Sequence, residues 1–248
     1  MQVSETKTID TLVDDIYNLV DTGKKNPDQE ALFALGSSIM EAVRRQLWMA
    51  TSDAPGRLRM SNIGKPCSRS LWYDVHGDEQ AEKFNPQTRL KFMIGDIVEA
   101  FLVYLAKEAG HRVSNQQAEV EMDGIKGHID CFIDDELVDI KSASSFAMKK
   151  FKNGTLPDDD PFGYISQISG YGNALGKERG TFLAFDKSSG ELATYTHSQL
   201  ENTEIKIKEV KAAVELPEPP DRCFETVKDR QTGRQKLGVN CSYCSHKH

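Results

Sequence analysis

One continuous segment, GHIDCFIDDELVDIKSAS at residues 127–144, constrains the fold of this chain more than any other. Apolar and polar residues alternate along it, which predicts two adjacent β-strands that pair as a hairpin. Side chains of a strand point alternately to its two faces, so Asp139 and Lys141 are expected on one face of the second strand. By the same rule, Asp130 shares a face of the first strand with Phe132. The opposite face of each strand is apolar, so both strands are predicted to be half-buried.

In such a hairpin Asp130, Asp139 and Lys141 converge on one spot. Two carboxylates can bind a hard divalent cation, and an ammonium group beside them can help to activate a water molecule. An Asp-x-Lys pattern taken alone is more often a solvated strand face. The functional interpretation therefore depends on polar residues elsewhere in the chain.

Two predicted helices supply such residues. Apolar residues recur at helical spacing over residues 90–110, and Glu99 lies among them, where a carboxylate needs a partner such as a metal ion. The alternative is a glutamate at the edge of an amphipathic helix. Gln167 and Tyr171 are four residues apart, so they share a helix face and can hydrogen-bond the same group. The alternative interpretation is that Gln167 and Tyr171 lie at a half-exposed boundary of the helix and bind nothing.

Composition restricts the class of protein. The chain has 248 residues with 38% hydrophobic and 28% charged residues, which is typical of a soluble protein with one domain or one domain and a small appendage. A net charge of −7 argues against indiscriminate nucleic-acid binding, although it does not exclude a local basic channel. No apolar run reaches membrane-spanning length and the N-terminus is polar, so no membrane association and a cytoplasmic location are expected.

The predicted elements give an α/β protein with a mixed sheet flanked by helices. A helical lobe is predicted over residues 1–60, and residues 148–163 are predicted to be a polar loop. The remaining elements are helices near 8–22, 27–50, 68–77, 90–110, 162–176 and 201–216, and strands near 112–122, 126–134, 136–142, 181–186 and 192–197. The central order is α-β-β-β-α-β.

The five cysteines fall into two groups. Cys131 alternates with isoleucines and is predicted to be a core residue. The pair Cys241-x-x-Cys244 is open to interpretation as a redox pair, half of a zinc site or a coincidence. A structural disulfide is not expected in a cytoplasmic chain.

The order of these motifs resembles the PD-(D/E)xK nuclease superfamily, and the Gln-x-x-x-Tyr helix resembles its RecB-type branch. The resemblance covers roughly residues 60 to 248 and implies a restriction-endonuclease-like core in a nuclease domain of residues 61–248. Many RecB-type members have a histidine ahead of the helix glutamate, whereas Asp96 to Val98 contain none. The resemblance implies Mg²⁺ or Mn²⁺ ligands at Glu99, Asp130, Asp139 and the backbone carbonyl of Ile140, a catalytic Lys141, and a fifth motif at Gln167 and Tyr171.

The segment PCSRSLWY resembles a further subset of these nucleases, which carries an iron–sulfur cluster and includes CRISPR-associated nucleases and the nuclease subunit of AddAB. This resemblance implies a [4Fe–4S] cluster held by Cys67, Cys223, Cys241 and Cys244. The subset usually has another cysteine after its C-terminal Cys-x-x-Cys, where this chain has none, and Cys223 is the substitute. The alternative is Zn²⁺ bound by these cysteines, with His246 or His248.

The function implied is a divalent-metal-dependent DNA exonuclease similar to those encoded by bacteriophages, which act in recombination, end resection or DNA degradation. A recombination or replication protein is a possible partner, and the sequence predicts no oligomeric state. The alternatives are a nuclease of CRISPR adaptation, an endonuclease, and a non-catalytic protein that binds DNA ends. The candidate DNA-binding residues flank the site in sequence and are Arg69, Lys149, Lys150 and Lys152.

Overall fold

Four helices precede the first strand in the computed structural model, which describes residues 7–48, 56–241 and 244–247. Parts of the predicted lobe of residues 1–60, the end of the predicted helix 27–50, and His248 lie outside the described residues. The helices are α1 (Leu12–Thr22), α2 (Gln29–Trp48), α3 (Ser68–His76), α4 (Pro86–Glu108), α5 (Ser145–Asn153), α6 (Tyr164–Ala174) and α7 (Thr203–Val214). The strands are β1 (Val113–Ser114), β2 (Glu119–Met122), β3 (Ile125–His128), β4 (Cys131–Ile133), β5 (Glu136–Ala143), β6 (Gly180–Asp186), β7 (Leu192–His197), β8 (Thr226–Lys228) and β9 (Gln235–Leu237).

A five-stranded mixed sheet in the order β1-β4-β5-β6-β7 forms the centre of the molecule. Strands β4 and β5 pair antiparallel, as the predicted hairpin requires, whereas β5 and β6 are parallel. The parallel pair needs a crossover, and α5 and α6 provide it. The succession α4, β1, β4, β5, α6, β6 gives the predicted α-β-β-β-α-β order. The prediction of an α/β core with a mixed sheet flanked by helices is thus confirmed.

The predicted strand at residues 126–134 is wrong as one element, because the chain changes sheets at Asp130. Strand β3 pairs with β2 in a separate two-stranded sheet, whereas β4 joins the main sheet. At the junction the Ile129 N–H donates to the Ala118 carbonyl at 3.1 Å, and the Asp130 carbonyl accepts from the Gln117 N–H at 3.1 Å. The alternation of faces is interrupted there, so Ile129 and Phe132 pack in the same core cluster instead of on opposite faces.

The prediction of a half-buried second strand is also wrong. Residues Leu137 to Ile140 of β5 are all buried. Leu137 packs in the cluster of α6, whereas Val138 and Ile140 pack in the cluster of α1 and α4, so the predicted alternation itself holds. Helices cover both faces of the sheet, and a central strand between two helical layers is buried on both sides.

The polar loop predicted at residues 148–163 is wrong in its first part, which belongs to α5. The helix begins at Ser144, whose hydroxyl accepts a hydrogen bond from the backbone N–H three residues later at 3.3 Å. It ends at Gly154, which has a left-handed φ of 67°. Met148 and Phe151 are three residues apart and bury one face of this helix. The proline and glycine residues that predict a loop all lie at Gly154 or beyond it, after the end of this helix.

The N-terminal helices pack on α4. Leu12 and Ile16 of α1 enter the core cluster that contains Leu102 and Ala106 of α4. A carboxylate oxygen of Glu108, at the end of α4, accepts a hydrogen bond from a backbone N–H just before α2 at 2.5 Å. These contacts bring α2 alongside α4, where it forms one wall of the cleft that contains Glu99. Among the described residues, no helix combines the length and the apolarity needed to span a membrane.

Candidate active site

The predicted site residues of four elements meet at one cleft. Glu99 of α4, Asp130 at the junction of β3 and β4, and Gln167 and Tyr171 of α6 line this cleft. Asp139 lies beneath them and is only 1% exposed. The structure therefore brings together side chains that are up to 72 residues apart in sequence, from Glu99 to Tyr171 (171 − 99 = 72).

Short hydrogen bonds link the two acidic strands to the helix. One carboxylate oxygen of Asp130, Oδ2, accepts from the Ile140 N–H at 2.6 Å, which ties the junction to β5. Lys141 Nζ lies 2.6 Å from Asp139 Oδ2 and donates to Gln167 Oε1 at 3.1 Å. Gln167 Nε2 in turn donates to the Tyr171 hydroxyl at 3.2 Å. The Gln-x-x-x-Tyr helix thus contacts the lysine of the Asp-x-Lys strand directly.

Negative charge is in excess at this position. Burial raises the pKa of Asp130 well above its usual range, and the charges of Asp139 and Glu99 raise it further. Burial also raises the pKa of Glu99 despite its hydrogen bond from Gln117. For Asp139 the effect of burial on the pKa exceeds the opposing effect of Lys141. One ammonium group does not compensate the buried carboxylate of Asp139 and the half-buried carboxylates of Glu99 and Asp130, so the site favours an additional cation.

Lys141 is a cation in this environment. Burial alone would lower its pKa, but the adjacent Asp139 carboxylate outweighs burial and raises the pKa above the usual value. The Nζ atom also lies 4.5 Å from the centre of the Tyr164 ring, where a cation is favoured. Burial raises the pKa of Tyr171 to about 12, so its hydroxyl remains protonated at neutral pH.

The donor set fits Mg²⁺ or Mn²⁺, which prefer oxygen ligands. Among the described residues, Asp139 Oδ1 is buried without a hydrogen-bonding partner, and Oδ2 lies 2.6 Å from Lys141 Nζ. A buried carboxylate oxygen without a partner is costly, and a cation would satisfy it. Within the described ranges, no three His, Cys, Asp or Glu side chains already form a ready ligand group. Glu99 Oε1 instead accepts from Gln117 Nε2 at 2.6 Å.

The sequence does not identify two residues of this site. Gln117 contacts Glu99 from a turn in which its φ is +52°, and no motif marks it. The ring of Tyr164, which precedes the Gln-x-x-x-Tyr motif, lies 4.5 Å from Lys141 Nζ. Each contact joins elements that are distant in sequence, so the local pattern carries no signal for it.

The residues predicted to bind DNA lie elsewhere. The Arg69 guanidinium donates to the Pro220 carbonyl at 2.8 Å and to the Tyr73 hydroxyl at 3.1 Å. Lys150 pairs with Asp159 at 2.6 Å, and Lys152 pairs with Glu191. Lys149 is exposed on α5. None of the four lines the cleft that contains Glu99.

The four candidate ligand cysteines gather around the first turn of α3. Cys67 Sγ caps this helix by accepting from the Ser70 N–H at 3.4 Å. Cys223 Sγ lies 3.5 Å from the Ser68 hydroxyl, and Cys244 Sγ lies 3.7 Å from the Ser70 hydroxyl. Cys241 lines the same cavity as Cys67 and Cys244. All five cysteines of the chain are free thiols, and Cys131 is buried in the core as predicted.

The thiols influence one another, although within the described residues no three of them stand ready as a ligand group for a metal ion. Burial raises the pKa of Cys67 to about 11, and the neighbouring Cys223 and Cys244 add to the shift. A positively charged metal centre relieves such repulsion between thiolates. His246 presents Nδ1 to Asp78 at 2.6 Å and Nε2 to Asp74 at 3.1 Å, so each ring nitrogen contacts a carboxylate. In this conformation neither ring nitrogen faces a thiol ligand group for zinc, and His248 lies outside the described residues.

Comparison with known proteins gives similarity at low identity only. No protein-family model and no curated protein matches the chain. The solved structure of SSO0001 is 14% identical with a TM-score of 0.43, covering 78% of this chain and 90% of that one. An alkaline exonuclease (LHK-Exo) from Laribacter hongkongensis is 14% identical with a TM-score of 0.34, covering 62% and 91%. Its complex with dAMP is 15% identical with a TM-score of 0.37, covering 62% and 86%. Similarity at this level carries no conclusion about function.

Proposed function

We propose that this chain is a divalent-metal-dependent DNA exonuclease that hydrolyses phosphodiester bonds. The observation that carries the proposal is the meeting of Glu99, Asp130 and Asp139 with a charged Lys141, where Asp139 Oδ1 is buried without a partner. Hydrolysis of a phosphodiester requires a nucleophilic water, neutralisation of charge at phosphorus and protonation of the departing oxygen. Acidic ligands beside a fixed ammonium group match these requirements.

Asp130, Asp139 and the carbonyl of Ile140 would hold Mg²⁺ or Mn²⁺, and Glu99, whose Oε1 is held by Gln117, would complete the site with its other carboxylate oxygen. When bound, the ion acts as a Lewis acid that makes water more acidic and offsets phosphate charge. Lys141 carries a proton, so it orients the water and stabilises negative charge instead of acting as a base. Gln167, which contacts Lys141, and Tyr171, which donates from a protonated hydroxyl, position the scissile phosphate.

The biological setting that we propose follows the resemblance in the motifs. It is a phage-encoded exonuclease in the host cytoplasm that degrades or resects DNA ends, together with a recombination or replication protein. The same resemblance supports a [4Fe–4S] cluster on Cys67, Cys223, Cys241 and Cys244, with Zn²⁺ as the alternative metal. Visible absorbance together with iron and sulfide content distinguishes the two, since zinc is colourless.

The decisive assay compares end-labelled linear DNA with closed circular DNA in the presence of Mg²⁺, Mn²⁺ or EDTA. We expect metal-dependent loss of linear DNA only. The Lys141→Ala variant should be about 100-fold slower or worse, since removal of one group that stabilises transition-state charge has that cost. Lys208→Ala changes an exposed lysine on α7 and serves as the matched control. Cleavage of circles would indicate an endonuclease, and end binding without cleavage would indicate a non-catalytic DNA-end protein.

A further inference from the structure

One wall of the active-site cleft is a segment that no motif marks. Residues 57–61 run beside β3, where Arg59 forms a bridge with Lys126 and the Met60 N–H donates to the Lys126 carbonyl at 2.9 Å. Leu58 and Met60 pack in the core, whereas Arg57, Arg59 and Ser61 line the cleft. This alternation of faces is typical of an extended strand. It directs two arginines toward the cleft that contains Glu99 and Asp130.

The other lysine and arginine side chains that line the cleft have acidic partners. Arg45 pairs with Asp96 at 3.1 Å, and Lys126 pairs with Glu119 at 2.7 Å. Across the described part of the chain, no carboxylate lies within ion-pair distance of the guanidinium group of Arg57 or Arg59. Both side chains are exposed, so the fold does not need them for packing. A guanidinium fork that is free at a cleft is suited to a phosphate group.

The cleft offers few rings to a nucleobase. Tyr171 is the one phenylalanine, tyrosine or tryptophan among the described residues that line it, and this side chain is 2% exposed. Its hydroxyl is already bonded to Gln167. Base stacking needs an accessible aromatic face, which Tyr171 does not offer and which only the exposed His128 imidazole supplies among these residues. The phosphates of a nucleic-acid strand are therefore the groups that this cleft is best equipped to bind.

We propose that Arg57 and Arg59 bind phosphates of the DNA strand that enters the active-site cleft. Recognition there is through the phosphodiester backbone and is independent of base sequence. This inference rests on the proposed nuclease function and adds the residues that guide the substrate to Glu99 and Asp130.

The test measures equilibrium binding of labelled DNA oligonucleotides of two different sequences in EDTA, over a range of KCl concentrations. The Arg57→Ala/Arg59→Ala variant should bind both sequences more weakly by a similar factor. The slope of log affinity against log salt concentration should fall by about 1.4 to 1.8, since each lost phosphate contact contributes about 0.7 to 0.9. The matched control, Arg230→Ala/Arg234→Ala, removes two exposed arginines in the segment between Thr226 and Leu237 and should leave both quantities unchanged.

Thermal melting of the variants checks that they fold, and Arg57→Lys/Arg59→Lys should retain most of the salt slope. An unchanged slope, a loss that depends on the sequence, or an absence of DNA binding by the wild-type protein would overturn the inference. Cleavage with Mg²⁺ is recorded separately. If the wild type binds DNA through these arginines but never cuts it, the proposed function fails and the inference stands. If it cuts DNA and the double variant cuts equally well, the inference fails and the proposed function stands.

Discussion

At the scale of single residues, the contacts of Glu99 show how the site depends on partners from distant segments. Its helix presents it to the cleft, but its carboxylate is oriented by Gln117, whose backbone has a left-handed φ of +52°. Asparagine and aspartate are enriched in this conformation, whereas it is uncommon for other non-glycine residues. Gln117 is therefore a positioning residue, since it acts on the site through Glu99.

Replacing Gln117 with alanine should lower nuclease activity about 10- to 100-fold, the usual cost of losing a partner that orients a metal ligand. The concentration of Mg²⁺ needed for half-maximal activity should rise as well, which a purely structural role would not cause. Steady-state assays across a Mg²⁺ titration measure both. The control is Gln116→Ala, because that side chain accepts from Lys107 at 2.7 Å instead. Equal activity and metal dependence of the two variants would contradict the assignment.

At the scale of elements, β3 lies unusually close to α6. A Cβ atom on Gly127 would stand 2.5 Å from Met60 Cβ and 2.8 Å from the Tyr171 ring. Glycine at this position allows the strand to approach the helix that carries Gln167 and Tyr171. The small sheet of β2 and β3 thus contributes to the site through its backbone as well as through its side chains.

Gly127→Ala should reduce the free energy of unfolding by about 1 to 3 kcal/mol, the range for inserting a methyl group into a packed interior. Activity should fall too, because Tyr171 must move. Gly36→Ala on α2 serves as a control for which the free energy of unfolding should rise instead of fall. A Cβ there has no atom within 4 Å, and alanine should stabilise the helix by about 0.5 to 1 kcal/mol. Denaturant titration of both variants measures these changes in the free energy of unfolding. If Gly127→Ala leaves that free energy unchanged, β3 does not approach α6 this closely.

The β8–β9 hairpin depends on Asp229. Its Oδ1 accepts from the backbone N–H groups of Gln231 and Thr232 at 3.0 and 2.8 Å, and Lys236 lies 2.7 Å from Oδ2. Lys236 and Thr232 lower the pKa of Asp229 to about 2. Since this folded-state value lies below the unfolded value of about 3.9, Asp229 stabilises the hairpin above that pH and loses its effect as the pH falls toward 2.

The amide signals of Gln231 and Thr232 in NMR spectra should therefore shift toward disordered values between about pH 4 and pH 2. In Asp229→Ala they should be disordered at every pH. Glu225→Ala, an exposed acidic residue just before β8, should behave as the wild type does. A hairpin that is unaffected by Asp229→Ala would show that the turn forms without this carboxylate.

At the scale of the whole molecule, α3 joins two distant parts of the chain. Trp72 donates to the Leu216 carbonyl at 2.8 Å, the Glu82 N–H donates to the Ser245 carbonyl at 2.8 Å, and His246 lies between Asp74 and Asp78. These contacts are polar, and most residues from 221 to 238 are exposed. Little apolar burial holds the C-terminal segment in place, so a group bound by the cysteines would be its main attachment.

Removing the proposed cluster with an iron chelator, or changing Cys67 to serine, should release this segment while the central sheet remains folded. Trypsin should then cut at Arg222, Arg230 and Arg234 much faster than in the untreated protein, which mass spectrometry of the fragments detects. Cys131→Ala changes a thiol in the core and should leave this cleavage rate unchanged. If chelation leaves the segment equally protected, the polar contacts alone hold it.

The sequence by itself determined the α-β-β-β-α-β order of the central elements, the alternation of Val138 and Ile140 against Leu137 and Asp139, and the shared helix face of Gln167 and Tyr171. These features follow from the periods of the strand and the helix, which act over a few neighbouring residues. Only the tertiary structure decided the change of sheet at Asp130, the burial of both faces of β5, the helix α5 and the contact of Gln117 with Glu99. Those depend on which surfaces are covered and which distant groups meet. Burial and repulsion also set the pKa values of the site, and neither exists until the layers pack together.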